Sequence, residues 1–308
     1  MIQRNSKYLT TRTIALFFFA LLVFSCSRPG EPAANCPNRQ ITDDLGRVVQ
    51  LPLKVERVVS LAPNLTEIVF AVGGGDKLVG VTTFCNYPAE ALKLRRVSDT
   101  LKPNIESVIA LRPDVVLVST ASQLEAFSRS LEEQNIAVFV TSPNSIEDIY
   151  RSIEMIGKIL ETEDRAQDLT DELRMRAASV RRGSESQEPP KVFVQIDKDS
   201  LYTIGRDSYI TEIVAVAGGL SATAQLATAY PNISREAAIA MNPDVIVISE
   251  SEGNREPNEA FKNSPAVKNG KVLKIEADLL SRPGPRFINA LEQLADNLRT
   301  KPKESLRE

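Results

Sequence analysis
The chain writes one helix-and-strand unit twice, in the same order, and this restricts the fold to two similar halves. Thr66-Glu67-Ile68-Val69-Phe70-Ala71-Val72-Gly73-Gly74 is echoed by Thr211-Glu212-Ile213-Val214-Ala215-Val216-Ala217-Gly218-Gly219, with six of nine positions identical. Apolar residues recur at helical spacing in both copies, at Leu65, Ile68, Val69 and Val72 and at Ile210, Ile213, Val214 and Ala217. Each copy therefore reads as a helix buried along one face, and its glycine pair supplies a left-handed stop. Downstream, Glu106-Ser107-Val108-Ile109-Ala110-Leu111-Arg112-Pro113-Asp114-Val115-Val116-Leu117-Val118 is matched by Glu236-Ala237-Ala238-Ile239-Ala240-Met241-Asn242-Pro243-Asp244-Val245-Ile246-Val247-Ile248. That second unit is a short helix, a Pro-Asp turn and a strand. Two matched pairs in one order predict a duplicated lobe.

The strands of both copies are continuously apolar and rich in Val and Ile, as parallel strands covered by helices on both faces must be. Further strands are expected at 57–61, 77–81 and 137–140 in the first lobe and at 191–196 and 271–275 in the second. Asp43-Asp44-Leu45-Gly46-Arg47 reads as a turn between two short strands at the entrance to the first lobe. The predicted fold class is α/β, with two Rossmann-like lobes of mainly parallel sheet joined by one long α-helix. Ile146, Ile149, Tyr150, Ile153, Ile156 and Leu160, then Leu169, Leu173, Ala177 and Val180, keep a helical period over 145–182, interrupted only by Gly157. As one helix that span is about 55 Å long, a stiff linker that predicts small closing motions.

At the N-terminus, Arg4, Lys7 and Arg12 precede an apolar run from Ile14 to Phe24 that ends at Ser25-Cys26. This is the layout of a secretory signal, and eleven apolar residues rise only about 16 Å as a helix, roughly half a hydrocarbon core. Val23-Phe24-Ser25-Cys26 resembles a bacterial lipobox, so Cys26 is expected to be lipidated and to anchor the exported chain to a membrane. The predicted organisation is a signal peptide over 1–25, a flexible tether over 26–40 and an N-terminal lobe over 41–144. The inter-lobe helix follows over 145–183, then a C-terminal lobe over 184–300 and a tail over 301–308. Cys36 and Cys85 remain in a compartment that permits disulfides, but nothing in the sequence shows that they meet. A net charge of −3 with both signs interspersed gives no footprint for nucleic acid.

The chain contains no histidine, so neither a Ser-His-Asp nor a Cys-His nucleophile can be built and a His-rich metal site is excluded. It has no GxSxG elbow, no GxxxxGK[ST] loop and no GxGxxG after a strand, so an enzyme is not expected. The ligand is instead expected at the carboxyl ends of the strands. There, four loops are unusual: Thr82-Thr83-Phe84-Cys85-Asn86-Tyr87-Pro88, Ser200-Leu201-Tyr202-Thr203-Ile204-Gly205-Arg206, Ala229-Tyr230-Pro231-Asn232, and Asp278-Leu279-Leu280-Ser281-Arg282-Pro283-Gly284-Pro285-Arg286. Only seventeen residues are aromatic and none is Trp, so Phe84, Tyr202 and Tyr230 in polar loops read as ligand contacts, whereas Tyr87 beside Pro88 reads as a plug of the core. Arg282 and Arg286 fit either of two roles, binding anionic groups or ordering their own loop. Glu106 and Glu236 occupy equivalent first-turn positions, where an acid is stabilised by the helix dipole alone.

With these motifs assembled, the mature chain resembles the class III periplasmic binding proteins of ABC importers for cobalamin, iron-siderophores and haem, and is nearest to the cobalamin-binding members. The most specific segments are Asn86-Tyr87-Pro88, Ile233-Ser234-Arg235-Glu236 and Arg282-Pro283-Gly284-Pro285-Arg286. The resemblance implies two lobes with the ligand held in the cleft between them, bound without cofactor or chemistry. It assigns Glu106 and Glu236 to docking on arginines of the membrane permease, which works with its ATPase subunits. It also assigns Phe84, Tyr202 and Tyr230 to the aromatic cleft, and Asp278, Arg282 and Arg286 to a polar rim. The implied ligand is cobalamin, with a ferric siderophore or haem as the alternative, bound by a monomer. The sequence departs from the cobalamin-binding members where Thr100, Ser119 and Tyr230 stand at tryptophan positions and Ala217 stands at a disulfide cysteine. A lipoprotein that binds another protein and a lipid-tethered hydrolase are the remaining alternatives.

Overall fold
The duplicated units fold as two parallel sheets that share the order of four strands. The structure, a computed structural model, describes residues 38–98, 104–119, 124–184 and 188–299. The expected signal peptide, Cys26, Cys36, most of the tether, Thr100 and the tail over 301–308 lie outside the described residues. Among the described residues, no helix is long and apolar enough to cross a membrane.

A two-stranded sheet comes first, β1 (Asn38–Thr42) with β2 (Val48–Pro52), so strand structure begins inside the stretch read as tether. The turn between them is held by the Asp43 carboxylate, which accepts from the backbone of Leu45 and Arg47 and from Arg47 Nε. The first lobe contains β3 (Val58–Ser60), α1 (Pro63–Ala71), β4 (Leu78–Thr82), β5 (Arg96–Ser98), α2 (Ile105–Ile109), β6 (Val115–Ser119), α3 (Leu124–Glu132) and β7 (Ala137–Thr141). Its sheet has the order β5-β4-β3-β6-β7, with every pairing parallel.

After α4 (Ile146–Leu160) and α5 (Glu163–Gly183), the second lobe runs through β8 (Lys191–Gln195), α6 (Tyr209–Val216), β9 (Leu220–Ser221), α7 (Arg235–Met241) and β10 (Val245–Glu250). It ends with α8 (Pro265–Lys268), β11 (Val272–Glu276), α9 (Ala277–Leu280) and α10 (Phe287–Arg299). Its sheet, β9-β8-β10-β11, is the first sheet without β5, and it is also parallel throughout. In each lobe the chain reverses its direction across the sheet beside the first strand, between β3 and β6 and between β8 and β10. Ligands settle at such switch points.

The repeat is kept down to single hydrogen bonds. Gly73 and Gly218 adopt φ of +82° and +91°, and the following glycines donate to Val69 and Val214, closing the same glycine-stopped turn on α1 and α6. Arg112 and Asn242 are both left-handed, and the next acids, Asp114 and Asp244, accept from Arg57 N and Lys191 N at the start of each lobe's first strand. A Cβ on Gly218 would lie 2.5 Å from Ser184 O, whereas one on Gly253 (φ +83°) meets nothing within 4 Å. Gly218→Ala should therefore destabilise the chain by about 2 kcal/mol or more, and Gly253→Ala by about 1. Urea unfolding of the two variants checks this order.

Two sequence expectations are corrected. The span 145–182 is a helical hairpin: α4 ends at Leu160, the next residue, Glu161, has a φ of +60°, and α5 turns back along it. Gly157 allows this, because a Cβ there would lie 2.4 Å from the Ala166 methyl, and Arg174 ties the two helices through Glu147 at 2.9 Å and Glu154 at 3.1 Å. Periodicity missed the break because both helices bury their apolar faces in the same core. The long connecting helix is thus the 21-residue α5, about 31 Å. The second correction concerns α1, where the six consecutive residues 64–69 are buried, not one face alone.

The inner faces of both sheets share one apolar core that passes through the hairpin, from Val58, Ile68 and Phe139 through Ile149, Ile153 and Leu173 to Val194, Ile213 and Leu291. Tyr150 on α4 meets Phe287 on α10 edge to face at 5.9 Å, and Arg176 on α5 holds Glu292 on α10 at 2.7 Å. The outer face of each sheet has its own cluster, around Val116 and Leu131 in one lobe and Phe193 and Phe261 in the other.

Candidate functional site
The loops that follow the strands come together in pairs. Thr203 N donates to Pro231 O at 3.0 Å and Gly205 N to Ala229 O at 2.9 Å, so backbone bonds join the loop of Tyr202 to the loop of Tyr230. Tyr202 and Tyr230 are each 44% exposed as residues. Burial raises the Tyr230 phenol above its ordinary pKa, against a hydrogen bond with Ser208 that lowers it. The neighbouring Tyr209 is fully buried, donates to Leu280 O at 2.7 Å, and has its pKa pushed far up by burial.

The other two loops meet across the lobes. Glu67, in the middle of α1, has a side chain only 2% exposed and receives two arginines from the loop between α9 and α10. Arg286 grips it with a fork, Nε to Oε2 at 2.9 Å and Nη2 to Oε1 at 2.7 Å, while Arg282 Nη1 reaches Oε1 at 2.9 Å. The hydrogen bonds to Glu67 hold the Arg286 guanidinium above its ordinary pKa. Arg282 also donates to Asn86 Oδ1 at 2.8 Å and Phe84 O at 3.3 Å and pairs with Asp278 at 2.7 Å; Asn86 in turn donates to Asp278 at 3.0 Å. Asn64 on α1 donates to Pro283 O at 3.3 Å. The result is a polar clasp between a first-lobe helix and a second-lobe loop.

The clasp carries Phe84, a residue 56% exposed beside it. Tyr87, read as a plug of the core, is instead half exposed, with the Arg286 guanidinium 4.1 Å above its ring, a cation–π contact. Cys85 between them is a buried free thiol that accepts from Thr66 at 3.1 Å. Ser119 ends β6, and Ala217 is the buried C-cap residue of α6. The structure thus brings Phe84, Asp278, Arg282 and Arg286 into one cluster and Tyr202 and Tyr230 into another.

Glu67, Asn86 and Asn64 were not singled out from the sequence as site residues. The available signal was a charged residue within the apolar run Leu65 to Val69, where a carboxylate stays buried only with partners. Its repeat equivalent, Glu212, reaches a different target, accepting from Ile146 N at the start of α4 at 2.7 Å.

Glu106 and Glu236 stand apart from this cluster and alike in their surroundings. Each is exposed in the first turn of its helix, behind a capping residue: Asn104 accepts from Ser107 N at 2.9 Å and Ser234 from Ala237 N at 3.1 Å. The Glu236 carboxyl is held below its ordinary pKa by its own backbone N–H and by Ser234. Among the described residues, no group of three or more Cys, Asp or Glu side chains is placed to hold a metal ion.

This two-lobed arrangement is found in known proteins. An ABC transporter substrate-binding lipoprotein of Bacillus subtilis is 30% identical over 300 residues, covering 92% of this chain and 95% of the relative. The crystal structure of the periplasmic vitamin B12-binding protein of Vibrio cholerae superposes with a TM-score of 0.71 at 29% identity, covering 80% of this chain and 97% of that one. A periplasmic haem-binding protein of Roseiflexus in its apo form also superposes at 0.71, with 25% identity over 79% of this chain and 98% of that one. The periplasmic binding protein family model matches residues 58–279, and on that match the chain belongs to this family, as a substrate-binding protein of an ABC transporter and not an enzyme.

Proposed function
We propose that the chain is the lipid-anchored solute-binding component of an ABC importer, that it captures cobalamin between its lobes, and that it delivers the ligand to the permease and its ATPase subunits. The observation that carries this reading is the set of half-exposed aromatic residues, Phe84, Tyr202 and Tyr230, on strand-end loops of both lobes. Flat aromatic faces bury a large ring-shaped ligand at low entropic cost. Asp278, Arg282 and Arg286 form the polar side of the site, and Glu106 and Glu236, one on each lobe, dock the permease. The likeness to the Vibrio cholerae vitamin B12-binding protein supports cobalamin, and the name of the Bacillus subtilis relative supports the lipid anchor, here at Cys26.

A ferric siderophore or haem is the second reading, favoured by the exposed tyrosines Tyr202 and Tyr230, whose phenols are iron ligands by chemistry, and by the likeness to a haem-binding protein. Titration calorimetry of the full chain with cyanocobalamin, a ferric siderophore and haemin separates the two. Cobalamin capture predicts a saturable heat with cyanocobalamin, and its absence would sink that choice. Iron contact predicts a coloured complex that fades in Tyr202→Phe or Tyr230→Phe.

A further inference from the structure
Arg282 and Arg286 are two cations that a carboxylate- or phosphate-bearing ligand would seek at this site, and both are already engaged. The two terminal nitrogens of Arg282 carry four N–H groups. Four acceptors meet them: Glu67 Oε1 and Asn86 Oδ1 on one nitrogen, Asp278 Oδ1 and Phe84 O on the other. Arg286 has its fork on Glu67 and its flat face on Tyr87. The arginine side chains are only 13% and 16% exposed. Two acids and two arginines meet here, so the cluster is neutral as it stands. The pairing is not a by-product of the repeat, because at the equivalent position Glu212 takes a backbone N–H and, among the described residues, no arginine.

We propose that Glu67 is a positioning residue that sets the charge selectivity of the cleft. By holding Arg282 and Arg286 in a neutral clasp it withholds both guanidiniums from anionic ligands, and the site favours a ligand whose polar groups there are neutral amides and hydroxyls. This rests on the solute-binding reading above. An anion that recruited either arginine would leave the buried Glu67 carboxylate short of partners, a strongly unfavourable exchange. The same clasp holds the Phe84 loop through Asn86 and the Phe84 carbonyl, so the aromatic surface and the neutral floor are set by one carboxylate.

The test is calorimetric titration of the full chain with inorganic pyrophosphate and, separately, with cyanocobalamin, for the unaltered chain, Glu67→Gln and the double variant Glu67→Gln/Arg282→Gln. The double variant keeps the summed charge of Glu67, Arg282 and Arg286 and frees the Arg286 fork, so it decides the matter if the single variant does not fold. The expected result is that both variants bind pyrophosphate at least about tenfold more tightly than the unaltered chain, the scale of a charge-assisted bidentate contact. Equal pyrophosphate affinity in all three proteins would overturn the proposal, as would tight binding by the unaltered chain. The cyanocobalamin arm reports on the ligand: if the unaltered chain does not bind it while the pyrophosphate gain appears, the cobalamin reading fails and the role of Glu67 stands.

Discussion

Glu67→Ala should lower the stability of the chain by about 3–5 kcal/mol, the cost of removing one partner from a buried ion pair and leaving the others uncompensated. The Glu67 side chain is 2% exposed and holds two arginines, of which Arg282 in turn holds Asn86, Asp278 and the Phe84 carbonyl. Removing it takes from the largely buried Arg286 the carboxylate it forks and leaves Arg282 with Asp278 as its counter-charge. Glu212→Ala is the matched control: it removes a carboxylate from the same position of the repeat but frees only the Ile146 N–H, and should cost about 1–2 kcal/mol. Guanidinium unfolding of both variants measures the difference. Equal losses would mean that the arginine clasp adds nothing to what the repeat itself provides.

Reversing both acids proposed to dock the permease, Glu106→Lys with Glu236→Lys, should abolish ligand uptake by cells, while the ligand affinity of the isolated chain stays within about twofold of its original value. Both acids are exposed, and neither takes part in the clasp or the tyrosine loops. On the proposed docking role, each lysine would replace an attraction to a permease arginine by a repulsion, and the two changes lie one on each lobe. Retained uptake would remove these residues from docking; lost ligand affinity would show that they act on the cleft instead. The fold should tolerate both changes, because Asn104 and Ser234 cap the helices by themselves.

These two experiments probe features that differ in how plainly the sequence displays them. Glu106 and Glu236 are visible by counting, because each stands a fixed distance before a Pro-Asp turn that the sequence repeats. The turn itself is equally local: the left-handed Arg112 and Asn242 and the acids two residues on recur in the structure with matching hydrogen bonds. The edge strands β5 and β9 were not anticipated, since three and two residues are too few to carry a period. The break between α4 and α5 escaped for another reason. A helix that folds back on its neighbour keeps the same apolar period on both sides of the turn, and only the close approach at Gly157 reveals it.

The sequence by itself determined the duplication, the α/β class, the glycine stops of α1 and α6, and the absence of a histidine-based catalytic site, because each depends on residue type or on neighbours within a few positions. What Glu67 does was decided only by the tertiary structure. Its repeat partner Glu212 has the same local sequence and a different target, and its own partners lie 215 and 219 residues away. A buried charge must find its counter-charge wherever folding places one. That placement depends on how the lobes meet, which no local pattern records.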